Sequence, residues 1–149
     1  MEQPLDLSRT ILTTRVVRAP REKVFRAWTD PAILADWWGP KGFTSTFHTF
    51  DLKVGGLWDF TMHGPDGKDY ANTSVFRKVE APALLEFDHL KEMHFYKAIT
   101  TFADVAGGTR IEWRMRFNTV EELQPIRGFI AAANEENLDR LERILSTQP

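Results

Sequence analysis

Four histidines, His48, His63, His89 and His94, are the side chains in this sequence best suited to proton transfer or metal ligation near neutral pH. Their spacing matches no metal-ligand motif, and no GxSxG, HExxH or phosphate-binding loop accompanies them, so neither a metal nor a cofactor is expected. The chain has no cysteine, which excludes disulfides, thiolate ligands and a cysteine nucleophile. Two carboxylate pairs fall where other roles suffice: Glu121-Glu122 at a helix N-terminus, where they suit the dipole, and Glu135-Glu136 on an exposed helix face. What remains is a set of uncharged groups, Tyr70, Asn72, Ser74, Tyr96 and Thr100, scattered among aromatic residues. Such groups orient a ligand in a lined cavity, and no catalytic residue is assigned. A reaction, if the protein performs one, would use Tyr70, Tyr96 or His89 as acid or base.

These groups must be positioned by regular elements. From Arg9 to Arg18 β-branched residues predict a strand, and Ala19-Pro20 then opens a short helix whose Val24, Phe25 and Trp28 form one apolar stripe. Asp30-Pro31 caps and starts a second, carrying Ile33, Leu34, Trp37 and Trp38, which Gly39-Pro40 ends. Six strands follow, at Thr44 to Asp51, Leu57 to His63, Asp69 to Val79, Leu84 to Leu90, Phe95 to Phe102 and Thr109 to Phe117. Tight turns at Gly55-Gly56, Gly64 to Gly67, Ala81-Pro82 and Gly107-Gly108 separate them and leave no room for crossover helices, so the sheet is antiparallel. Thr119 with Glu122 is a capping box, and Leu123, Ile130, Leu138, Leu141 and Leu145 continue a helical spacing. That helix would run about 39 Å if unbroken, but Pro125 should kink it or split off its first turn.

Alternation along the strands assigns an inner face: Trp58, Phe60 and Met62; Tyr70, Asn72, Ser74 and Phe76; Leu85 and Phe87; Tyr96, Ala98, Thr100 and Phe102; Ile111, Trp113, Met115 and Phe117. The opposite parity carries Asp59, Arg77, Glu86, Asp88, Lys97, Arg110, Glu112 and Arg114, and is expected to face solvent. The inner parity also reaches His89 at a strand end, whereas its place beside a hairpin loop with His94 turns it toward water. The inner set reads either as a solid core or as the wall of a hollow closed by the last helix, and the clustered polar groups favour the hollow.

With 19 basic against 21 acidic side chains and a formal charge of −2, the chain shows no electrostatic footprint for nucleic acid. No apolar run approaches the length that spans a bilayer, so no membrane partner is expected. Residues 1–8 lack a secretory signal pattern and are read as a flexible segment ahead of a single domain filling residues 1–149. The cytoplasm is the expected compartment, and a homodimer is left open.

Taken together, APREKVFRAWTDP (19–31), WWGPKGFT (37–44), DLKVGGLWDF (51–60), MHGPDGKDY (62–70), the Pro82, Leu85, Phe87 run, GGTRIEW (107–113) and NLDRLERIL (137–145) carry a resemblance over nearly everything after Ser8. The chain resembles the family related to the C-terminal domain of the activator of heat-shock protein 90 ATPase, within the START-like helix-grip superfamily. The resemblance implies an α+β fold of seven antiparallel strands around a long C-terminal helix, with two short helices between the first two strands. It also implies a hydrophobic cavity, in a family whose bacterial members mostly have no settled activity. Relatives often have Gly and a bulky residue such as Trp in the final helix, and Gly and Glu in the fourth strand. This chain has Ala133-Asn134 and Ser74 with Lys78 at those places. The expected function is binding of a hydrophobic or aromatic small molecule by a cavity lined by Trp28, Trp58, Phe60, Met62, Tyr70, Asn72, Ser74, Phe87, Tyr96, Thr100, Trp113, Met115, Asn134 and Leu138. An inward Asn134 should pair with Tyr70, Asn72, Tyr96 or a ligand; Asn137 shares its turn of helix. Two alternatives stand beside it: an enzyme of cyclase or aromatase type, and an interaction module akin to a co-chaperone.

Overall fold

The computed structural model describes residues 8–39, 42–91 and 95–147, with the side chain of Lys91 left aside. Pro40, His94 and residues 1–7, on which some expectations fall, lie outside the described residues. Strand β1 (Thr10–Val17) leads into helices α1 (Arg21–Thr29) and α2 (Pro31–Trp37). Then come β2 (Thr44–Phe50), β3 (Leu57–His63), β4 (Asp69–Glu80), β5 (Leu84–Lys91), β6 (Tyr96–Val105) and β7 (Gly108–Phe117). A single helical turn, α3 (Val120–Leu123), precedes the long α4 (Arg127–Thr147). The seven strands form one sheet in the order β1-β7-β6-β5-β4-β3-β2, each neighbour antiparallel.

Local chemistry sets the boundaries. The Asp30 carboxylate accepts from the Ala32 amide at 3.0 Å, capping α2 with Pro31 at its first position. Thr119 Oγ1 accepts from the Glu122 amide at 3.1 Å, the N-cap bond of the anticipated capping box. Pro125 splits off that first turn, and α4 restarts at Arg127 as 21 residues, about 31 Å rather than 39 Å. At the β2–β3 connection Gly55 has φ +84°, and a Cβ on Gly56 would collide with the Asp51 carbonyl oxygen, so both glycines are required by the turn.

The alternation read from the sequence holds: Trp58, Phe60, Phe76, Leu85, Phe87, Phe102, Ile111, Trp113 and Phe117 are all buried on the face that α4 covers. Helices α1 and α2 plug one end of this face. Trp28 makes edge contacts with Trp37, Phe102 and Trp113 at centroid distances of 4.6, 5.4 and 5.5 Å, and Trp37 Nε1 donates to the Ala27 carbonyl at 3.0 Å. On α4, Leu138, Leu141 and Leu145 fill the space above. Arg15 of β1 clamps the outside of α4 by ion pairs of 2.6, 2.8 and 2.9 Å to Glu135, Asp139 and Glu142. Burial works against the Arg15 charge, but these three carboxylates outweigh it and push its pKa up.

One assignment to the solvent face needs correction. Asp88 is buried rather than exposed, because Lys97 on β6 and Arg77 on β4 close over it with ion pairs of 2.7 and 2.8 Å. Lys97 reaches Glu86 as well, at 3.1 Å, so three strands are tied together from outside. Burial alone would raise the Asp88 pKa; the bonds from Lys97 and Arg77 overcome that and hold it below the ordinary carboxylate value.

Candidate functional site

The inner face is not filled evenly. At the end of the sheet away from the α1–α2 plug, where β3, β5 and β7 finish and β4 and β6 begin, a hollow of about 430 Å³ opens between sheet and helix. Phe60, Met62, Trp113, Met115 and Phe117 give it apolar walls; Tyr70, Asn72, His89 and Tyr96 contribute polar atoms from the strands. The segment after α2 adds Trp38, Gly39 and Phe43, and α4 adds Phe129, Ile130, Ala133, Asn134 and Asn137. The lining contains no Asp, Glu, Lys or Arg among the described residues.

Of the residues expected to line a cavity, Phe60, Met62, Tyr70, Asn72, Tyr96, Trp113, Met115 and Asn134 border this hollow. Trp28, Trp58, Ser74, Phe87, Thr100 and Leu138 do not. They are at most 2% exposed and belong to the solid part of the interior, where the aromatic plug and the leucines of α4 leave no space. Alternation names the correct face for the strand residues among them but carries no information on where along a strand packing ends. The hollow residues not singled out as lining, Trp38, Gly39, Phe43, His89, Phe117, Phe129, Ile130, Ala133 and Asn137, come mostly from the α2–β2 connection and from α4. For Phe117 and His89 the strand period was the available signal, and for Asn137 the helical one.

His89 corrects the expectation that it faces water: it is 6% exposed, stacked on Tyr96 at 4.6 Å and 9°, with Nε2 at 2.7 Å from Asn72 Oδ1. Asn72 in turn donates from Nδ2 to the Tyr70 carbonyl at 3.0 Å. That bond fixes the amide, so Oδ1 faces the imidazole and the shared proton must sit on His89 Nε2. Burial pushes the Tyr96 phenol well above its ordinary value, so it remains a neutral hydroxyl at physiological pH and can donate.

Both asparagines of α4 turn inward, with Asn134 4% and Asn137 5% exposed. Their partners are not those expected. Asn134 Nδ2 donates to Thr13 Oγ1 at 3.3 Å and to Met115 Sδ at 3.4 Å instead of meeting Tyr70, Asn72 or Tyr96, which lie across the hollow. Asn137 Oδ1 accepts from Arg140 at 2.6 Å. The Arg140 guanidinium also binds the carbonyls of Trp37 and Gly39, and desolvation lowers its pKa. One helix turn thus brings two side-chain amides, each with donor and acceptor atoms, to the border of the hollow. Beyond the Trp38–Phe43 wall lies a second concavity of about 330 Å³, with Arg140 and Asp36 among its lining.

The outer face holds the other aligned histidine. His63 Nε2 lies 2.7 Å from Thr46 Oγ1 and His63 Nδ1 lies 2.8 Å from Asp69 Oδ1, a hydroxyl–imidazole–carboxylate sequence across β2, β3 and β4. It stands in solvent, with the Asp69 side chain 64% exposed, and the residue types alone assign it no chemistry. No cluster of three potential metal ligands occurs among the described residues.

An antiparallel sheet gripping a C-terminal helix around such a hollow defines a helix-grip protein. The family model described as Activator of Hsp90 ATPase homolog 1-like protein matches residues 18–146, and the chain belongs to that family. Solved structures agree on the fold. A protein of Nitrosomonas europaea superposes with a TM-score of 0.89 at 20% identity, covering 99% of this chain and 100% of that one. One from Arthrobacter aurescens gives 0.86 at 26% identity, covering 95% and 88%. An AHSA1-like protein of Aeromonas hydrophila gives 0.72 at 27% identity, covering 90% of each chain. No curated protein matches the chain. Among the described residues no helix is long and apolar enough to cross a membrane.

Proposed function

We propose that the protein binds a hydrophobic or aromatic small molecule in the hollow between sheet and α4. The observation that carries this reading is the hollow itself: about 430 Å³, within the usual size of ligand sites, walled by aromatic and thioether side chains and free of charged residues in its described lining. The few polar groups, Tyr70, Tyr96 and the two asparagines, are placed to orient a ligand that is mostly apolar. Tyr96, one of the groups a cyclase-type reaction could use, stays protonated and supplies a donor rather than a base, which favours binding. We place this activity in the cytoplasm, in keeping with the absence of cysteine.

The test is a hydrophobic fluorescent probe titrated into native protein. Trp38 and Trp113 border the hollow, so saturable binding at one site should quench or shift tryptophan emission. Binding that appears only when denaturant loosens the fold would overturn the reading, because it would report exposed core in place of a preformed site.

A further inference from the structure

We propose that Phe129, with Phe43 and Tyr70, forms an aromatic rim that closes on the outer ring of a ligand seated in the hollow, which makes the site selective for elongated ligands that are flat and aromatic at that end. This rests on the binding function proposed above and names its ligand class.

Exposure grades the hollow from floor to mouth. Phe60, Trp113 and Phe117 are buried, Phe43 and Tyr70 are half-buried, and Phe129 is 67% exposed. Among the described residues it is the only exposed phenylalanine. A single apolar side chain in water is ordinary on a protein surface, so its position is what gives it a role. Phe129, Ala133 and Asn137 follow one another at four-residue spacing on α4, so Phe129 extends the row of the helix that borders the hollow one turn beyond a small residue. The backbone before it is open as well, since a Cβ on Gly128 would meet nothing within 4 Å. The ring therefore has space to turn over the mouth. Phe43 and Tyr70 bring two more rings to the same hollow, from the α2–β2 connection and from β4, with centroids 6.0 Å apart and planes inclined at 43°. A ligand small enough to sit wholly among the buried residues leaves Phe129 in water, whereas one that reaches the mouth buries it. A flat ring there gains edge or stacking contacts with the rim beyond the area it covers; a saturated ring of the same length gains the area alone.

Equilibrium dialysis of the whole protein against 2-naphthol, 6-phenyl-2-naphthol and 6-cyclohexyl-2-naphthol tests this. We expect the phenyl compound to bind roughly fivefold more tightly than its cyclohexyl counterpart. Phe129→Leu, an exchange at an exposed site that keeps an apolar side chain, should bring the two within about twofold and leave 2-naphthol affinity unchanged. The chain has no cysteine, so Phe129→Cys supplies a single thiol at the mouth, and saturating 6-phenyl-2-naphthol should slow its reaction with a disulfide reagent roughly tenfold. Binding of the naphthols without a phenyl preference, or with that preference retained in Phe129→Leu, would overturn this inference alone. A thiol that reacts at one rate with and without ligand would do the same. A thiol shielded without ligand, and more so at higher protein concentration, would assign Phe129 to contact with a second copy and overturn it too. Failure of all three compounds to bind would overturn the pocket reading and this inference with it.

Discussion

The two halves of the buried stripe on α4 face the same sheet and do opposite things. Toward its C-terminus the helix presents Leu138, Leu141 and Leu145, and the interior beneath is solid; toward its N-terminus it presents Ala133, Asn134 and Asn137, and the interior is hollow. The strand residues of the inner face are large in both places, with Phe102 against Trp28 of the plug and Trp113 and Phe117 bordering the hollow. Side-chain volume and polarity on a single helix, together with the Trp28–Trp37 plug, therefore decide where core ends and site begins. Leu141→Ala, at the solid end, should open a dry void and cost about 3 kcal/mol in a denaturant or thermal melt. A loss below about 1 kcal/mol would mean that the solid end is itself loosely packed.

The hollow end lacks a filled core to brace its strands, and the Asp88 network on the outer face takes that part. Asp88 lies between Phe87 and His89 on β5, and Lys97 follows Tyr96 on β6, so the ion pairs sit directly behind the wall. In the folded state the Asp88 pKa is below its unfolded value, so the unfolded chain binds the proton more readily. The stability it contributes is present above the ordinary carboxylate range and is lost as pH falls through the depressed folded value. Asp88→Asn should cost about 2 kcal/mol at neutral pH and flatten the acid limb of the stability profile below about pH 4. An unchanged acid limb in that variant would assign the acid sensitivity to other carboxylates.

The order of elements was legible because each boundary has a local cause, such as Asp30-Pro31, Gly55-Gly56 or Thr119, and the inner face because strand alternation has no competing period. The site was legible only by face. Trp58 and Trp113 occupy the same face on strands with three others between them, yet one is core, packed among Phe47, Phe50, Phe76 and Phe87, and the other borders the hollow, a difference made by neighbours that strand parity does not report. For His89 two local signals, strand parity and loop proximity, disagree; the Asn72 bond from β4 and the Tyr96 stack across the β5–β6 pair, both cross-strand contacts, decide in favour of the interior. The burial of Asp88 departs from its strand pattern for a similar reason, since cross-strand cations covering a carboxylate leave no trace in that pattern.

Asn134 sharpens the contrast between the two halves of α4 with the smallest expected change in stability. Its bond to Thr13, at 3.3 Å, lies beyond the usual N–H···O range, and its bond to Met115, at 3.4 Å, goes to a weak sulfur acceptor, so little is lost on removing them. Thr13 keeps a hydroxyl that can rotate to another acceptor, and a leucine here would add apolar contact over the hollow. Asn134→Leu should therefore leave stability within about 0.5 kcal/mol of the parent, or slightly raise it. Binding should move the other way. The variant removes the Oδ1 acceptor and narrows the cavity, so affinity for a neutral carboxamide probe should fall roughly fivefold, the equivalent of one modest hydrogen bond. If stability instead drops by more than about 1.5 kcal/mol, the bond to Thr13 anchors α4 to β1, and the hollow is held open by polar pairing rather than by the small volume of its helix residues.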